Sequence, residues 1–118
     1  MRVWLQPMTL RSHGMAPVTV DGYLGSVTFD GQAVTIRKSI RGQTRIYLRQ
    51  ISGISLEPAG IGMKAIRIIT AGGTVHGRSR AFGSHKRLAR DPQALTFRTG
   101  RLAEFQAFAD MVETALNA

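Results

Sequence analysis

GSVTFDGQAVTIRK, residues 25–38, decides the fold. Val27 and Phe29 alternate with Ser26 and Thr28, and Val34 and Ile36 alternate with Thr35 and Arg37. That two-residue period is the mark of half-buried strands. Between the two runs stands Asp30-Gly31, a dipeptide favoured in tight turns that need positive φ. Strands joined by so short a link can only lie antiparallel, so the stretch predicts a β-hairpin.

The alternation continues on both sides. Val18–Leu24 either pairs beside the hairpin or leads into it. Ser39–Gln43, with Gly42, reads as a loop. Thr44–Leu48 resumes the period, with Ile46 and Leu48 inward and Arg45 and Tyr47 outward. Ile51–Leu56 follows, with Gly53 as a bulge or bend, and Pro58 ends it because proline cannot donate to a ladder. Ala65–Thr70 and Thr74–Gly77 flank Ala71-Gly72-Gly73 as a second hairpin. From Arg78 to Gln93 no period survives, which predicts a long loop, and Ala94–Arg98 makes the last strand.

After Thr99 or Gly100 as N-cap, the period changes. Leu102, Phe105, Phe108, Ala109, Val112, Ala115 and Leu116 form one apolar stripe at the helical repeat. Strands first and one amphipathic helix last predict a mostly β (α+β) domain: a bent antiparallel barrel of about seven strands capped by the C-terminal helix. The helix is core structure, since burying each large apolar side chain contributes roughly 1.5–3 kcal/mol.

A length of 118 residues fits one domain. No periodic pattern starts before Val18, so residues 1–17 read as a flexible arm and 18–118 as the domain. The chain has no cysteine, which excludes disulfides, thiolate nucleophiles and Cys-ligated zinc; this fits a reducing, cytoplasmic setting. No stretch approaches the ~20 apolar residues of a membrane span. The N-terminal run, broken by Pro7, Arg11 and His13, is too interrupted for a secretory signal.

The net charge of +9 is unevenly spread. Between Arg37 and Arg90 twelve basic residues face a single acid, Glu57. The helical segment instead carries Glu104, Asp110 and Glu113 against Arg101. Such polarity favours an anionic partner and also aids solubility.

Three stretches carry a family resemblance: GYLGSVTFDGQAVTI (22–36), IYLRQISGISLEPAG (46–60) and ARDPQALTFRTGRLAEFQAFADMVETAL (89–116). In order, they resemble a bacterial pleckstrin-homology-like domain, and more narrowly the uncharacterised actinobacterial family DUF4429. The resemblance implies a bent antiparallel sheet of about seven strands with one corner plugged by the helix. It implies no enzymatic activity and no catalytic residue. The short C-terminal segment that often accompanies the family has no counterpart here, so partnering through it is not implied.

Chemistry-bearing residues are sparse. His13, His76 and His85 have no metal-ligand spacing and no accompanying carboxylates, and Ser26, Ser52 and Ser55 lack a nucleophile elbow. Gly60-Ile61-Gly62 lacks the third glycine and following helix of a phosphate cradle. The expectation is a non-enzyme with no metal and no cofactor.

Two basic clusters remain. Arg37, Lys38, Arg41 and Arg45 flank a short Gly-containing loop; Arg78, Arg80, Lys86, Arg87 and Arg90 surround Phe82. Each reads most simply as a solvated face. Beyond that, guanidinium groups pair bidentately with phosphate or carboxylate, so the clusters are candidate anion- or partner-binding sites. Single-strand binders present several stacking rings, and of the phenylalanines only Phe82 falls off the predicted core faces, with Phe29, Phe97, Phe105 and Phe108 on them. The one helix is acidic outside, unlike a major-groove reader. The expected function is therefore protein binding, with self-association through an exposed sheet edge included. Electrostatic nucleic-acid binding is the alternative, and docking on an anionic lipid surface the third reading.

Overall fold

A computed structural model describes residues 16–40, 42–71 and 90–118. Seven strands and one long helix appear among them. Strands β1 (Val18–Gly22), β2 (Gly25–Phe29), β3 (Ala33–Lys38) and β4 (Gly42–Tyr47) make one antiparallel sheet in that order. Strands β5 (Ile51–Pro58), β6 (Met63–Thr70) and β7 (Ala94–Arg98) make a second. Helix α1 (Leu102–Leu116) follows.

The opening hairpin forms with Phe29 opposite Val34 and Val27 opposite Ile36. Asp30 fixes its turn by accepting bonds from the Gln32 and Ala33 N–H groups, both 2.9 Å. Val18–Gly22 pairs along β2. The Gly53 irregularity appears as a register shift between Ile51 and Gly53. The Thr74–Gly77 strand, and all of the long loop but its last residues, lie outside the described residues.

Three expectations change. Among the described residues the strands divide into two sheets and do not close into a barrel. A 3₁₀ turn, Leu48–Gln50, separates β4 from β5 and redirects the chain before pairing can continue. Its first amide, Leu48 N–H, donates instead to the Gln32 carbonyl at 2.9 Å. Second, β4 begins at Gly42, inside the expected loop, and β5 runs on to Pro58, which occupies its last position opposite Lys64. Third, neither Thr99 nor Gly100 caps the α-helix. Both belong to a 3₁₀ turn, Thr99–Arg101, held by the Thr99 N–H on the Gly62 carbonyl at 3.1 Å, and Arg101 is the helix N-cap.

β7 crosses the ends of the first sheet. Lys38 Nζ donates to the Asp91 carbonyl just before β7, Gly25 abuts Leu95, and the Tyr23 N–H donates to the Thr96 carbonyl at 2.8 Å. The two sheets thereby face each other across one core of Val27, Phe29, Ile36, Ile66, Ile68, Leu95 and Phe97. α1 packs on β5, β1 and β6 and adds Phe105, Phe108, Ala109 and Val112, all buried. Leu102, Ala115 and Leu116, the outer part of the predicted stripe, are partly buried against the same core.

Candidate binding groove beside strand β4

Packing leaves the strand edges in different surroundings. α1 lies against β5 and β1, and β7 lies against β1, β2 and β3. β4 is the edge along which, among the described residues, no other element is laid. Its backbone on that side faces a groove of about 480 Å³ between β4, the end of β6 and the approach to β7.

Among the described residues the groove is lined by Thr44, Arg45, Ile46, Arg49, Gln50, Thr70, Ala71, Pro92 and Gln93, a mixed polar and apolar wall with two cations and no carboxylate. Its far wall is held rigidly. The Gln93 N–H donates to Asp91 Oδ1 at 2.8 Å, and Gln93 Nε2 donates to the Ile68 carbonyl at 2.8 Å. Gln50 Oε1 accepts the Tyr47 N–H at 2.9 Å, fixing the turn that carries Arg49.

Two guanidinium groups converge on one ring. The Arg45 and Arg49 guanidinium carbons lie 5.1 Å and 5.4 Å from the Tyr47 ring centroid, within reach of the ring quadrupole. Arg45 also meets Asp30 Oδ2 at 3.1 Å and Thr35 Oγ1 at 3.4 Å. Contact with Tyr47, then with Asp30, holds the Arg45 guanidinium above its usual pKa. Burial by itself would raise the Asp30 carboxyl. The Gln32 and Ala33 amides together with Arg45 outweigh it and keep that carboxyl below its ordinary value.

This lowered pKa carries a sign. A carboxylate favoured by the folded state stabilises it at pH values above the unfolded pKa and loses that contribution as pH falls through the folded one. Asp30→Asn keeps an acceptor for both turn amides but has no charge to titrate. Its stability should therefore fall less steeply below about pH 4 than that of the wild type. The pair is largely solvent-screened, so the neutral-pH cost should be small. Urea unfolding at several pH values measures both quantities; parallel acid limbs for the two proteins would contradict the assignment.

The candidate cations are placed unequally. Arg37 stands on the solvent face of β3, its Nε and Nη2 on Gln43 Oε1 at 3.3 and 3.1 Å. On that face it is the diagonal neighbour of Arg45, since Thr35 opposes Arg45 and Arg37 opposes Gln43. Lys38 points the other way, with Nζ 2.6 Å from the Asp91 carbonyl, and ties β3 to the approach to β7. Arg90 is exposed beside Asp91. Arg41, Arg78, Arg80, Phe82, Lys86 and Arg87 lie outside the described residues.

Arg49 was not singled out by the sequence. The only trace is the Arg45-x-Tyr47-x-Arg49 spacing, and the 3₁₀ turn, not a strand, brings Arg49 over the ring. Glu57, toward the far end of β5, binds Arg67 at 2.7 Å and accepts the Ser55 hydroxyl at 2.7 Å. Among the described residues Arg49 has no carboxylate within ion-pairing distance.

The family model of a domain of unknown function, DUF4429, matches residues 18–113, which spans all seven strands and most of α1. No curated protein and no solved structure matches the chain.

Proposed function

Because the chain belongs to DUF4429, a family of domains of unknown function, its role rests on its own surfaces, and we propose a non-enzymatic module that binds a protein partner through the β4 groove. The fold reading that goes with it is a pleckstrin-homology-like domain. Four strands, three strands and a terminal helix support it. The proposed compartment is the cytoplasm, on the absence of cysteine.

The single observation that carries the proposal is the β4 edge, unpaired among the described residues, running beside a cationic groove. An exposed edge presents unpaired N–H and C=O groups, a template for adding a strand. Arg45 and Arg49, set on Tyr47, add charge selection, so the segment that fits is extended and acidic. Bidentate guanidinium–carboxylate pairs would fix its register.

A labelled peptide alternating glutamate with valine, beside its glutamine counterpart, tests this by NMR titration of the whole chain. Shifts concentrated at Thr44–Ile46 and Arg49 with the acidic peptide alone are expected. Arg45→Glu with Arg49→Glu should lower that affinity at least about tenfold, the scale of one lost charge-assisted contact. Tight binding of a DNA strand through the same two arginines, with no response to the peptide, would replace this reading with the nucleic-acid one. Mutual β4 shifts on raising protein concentration would make a second copy the partner.

A further inference from the structure

A second surface lies on the rim where three tight turns gather. Four large apolar side chains are exposed there: Tyr23 (42%), Leu24 (58%), Ile40 (86%) and Ile61 (102%). They occupy the turns between β1 and β2, β3 and β4, and β5 and β6. Backbone contacts link these turns into one row. The Ser39 N–H and hydroxyl both donate to the Leu24 carbonyl, at 3.0 and 3.1 Å, which sets Ile40 beside Leu24. Arg98 lies 5.6 Å from the Tyr23 ring centroid, and the next residue, Thr99, holds the turn of Ile61 through Gly62.

Turns normally carry Gly, Asn, Asp, Ser or Pro, each for a backbone reason. Here Leu24 sits at φ 57°, a left-handed conformation that disfavours a bulky side chain. A residue both strained and water-exposed contributes nothing to folding that glycine would not do better. Such outliers point to a use outside the fold.

We propose that this rim docks the chain on an anionic lipid bilayer, with Leu24, Ile40 and Ile61 entering the headgroup–acyl boundary. The apolar groups stand on three separate turns linked in a row, so they meet a surface at several points along one rim. Arg98, over the Tyr23 ring, and Arg37, paired with Ser26 next to the β1–β2 turn, are both exposed, and the chain carries +9 overall. Apolar insertion combined with cationic attraction is the arrangement that holds proteins at an anionic interface. Tyr23, beside Arg98, is of the amphipathic type that favours that layer.

Co-sedimentation of the full chain with phosphatidylcholine vesicles, with and without phosphatidylserine, tests the proposal. The chain should pellet with the anionic vesicles only. Leu24→Gly combined with Ile40→Ser should cut that partitioning by about tenfold or more. The melting temperature of Leu24→Gly should stay level or rise, because glycine accepts the positive φ. Ile40→Ser with Ile61→Ser repeats the test without touching Leu24. Arg45→Gln with Arg49→Gln, which addresses the separate β4 groove, should lower vesicle binding far less than either rim variant, by no more than the loss of two general charges. Wild-type chain remaining in the supernatant, full binding by both rim variants, or loss on the groove variant alone would each overturn it.

Discussion

Phe105→Ala should destabilise the domain by about 3–5 kcal/mol, the usual cost of truncating a fully buried phenylalanine. Phe105 is 0% exposed and stacks on Phe97 with centroids 3.9 Å apart and planes 3° from parallel. This contact joins the helix to the last strand of the second sheet. Both rings also pack in the core shared with Phe29 and Ile36 of the first sheet. Removing one ring leaves a cavity that rigid strands on two sides cannot fill. Domains of this kind are stable by only about 5–15 kcal/mol, so a large share of the total is at stake. Urea unfolding of the variant should show a much lower midpoint at nearly unchanged slope. An unfolding free energy within about 0.5 kcal/mol of wild type would mean that α1 is not integral to the core. Pairing the change with Phe97→Ala isolates the ring–ring part, expected at about 0.5–1.5 kcal/mol.

Gly25→Ala comes next, and its sign runs against ordinary expectation. Replacing a strand glycine by alanine normally stabilises by about 0.4–1 kcal/mol, through the unfolded chain. At Gly25, however, an added Cβ would stand 2.4 Å from the Arg37 carbonyl oxygen and 2.8 Å from Leu95 Cδ1. The first of these neighbours is backbone of the paired strand and cannot rotate away. Relief requires β2 to part from β3 where Gly25 opposes Lys38, or β7 to lift from the sheet it crosses. A net loss of about 1–3 kcal/mol follows from such overpacking. Gly53→Ala is the matched control, since nothing lies within 4 Å of its Cβ position. Thermal melts of the two variants should therefore diverge in direction. A stabilised Gly25→Ala would show that neither the Arg37 carbonyl of β3 nor Leu95 of β7 crowds this position.

Both variants probe the crossing of β7 over the first sheet, and that crossing also positions the two surfaces proposed here. The Asp91–Gln93 approach to β7 forms the far wall of the β4 groove. Its other end, at Thr96 and Arg98, gathers the turns of the apolar rim. The groove and the rim therefore share a scaffold yet draw on different residues, so variants of one leave the other available as a control.

Much of this was written locally. The alternation of Val27, Phe29, Val34 and Ile36 determined the first hairpin, because a period of two can bury only one face. Asp30-Gly31 determined its turn through side-chain acceptance of two amides. The spacing of Phe105, Phe108 and Val112 determined which side of the helix is buried. What tertiary structure alone decided is where non-local partners meet. The division into two sheets depends on the Leu48 amide finding Gln32 and not a strand beside it. Lys38, read as a solvent-facing cation, reaches a carbonyl 53 residues away. Arg49 joins Arg45 on Tyr47 only because the link between the two expected strands is a 3₁₀ turn, and Leu24 takes a left-handed conformation that no leucine prefers by itself. Periodicity reports which face of an element avoids water, whereas partners distant in sequence are chosen by packing, which no local pattern encodes.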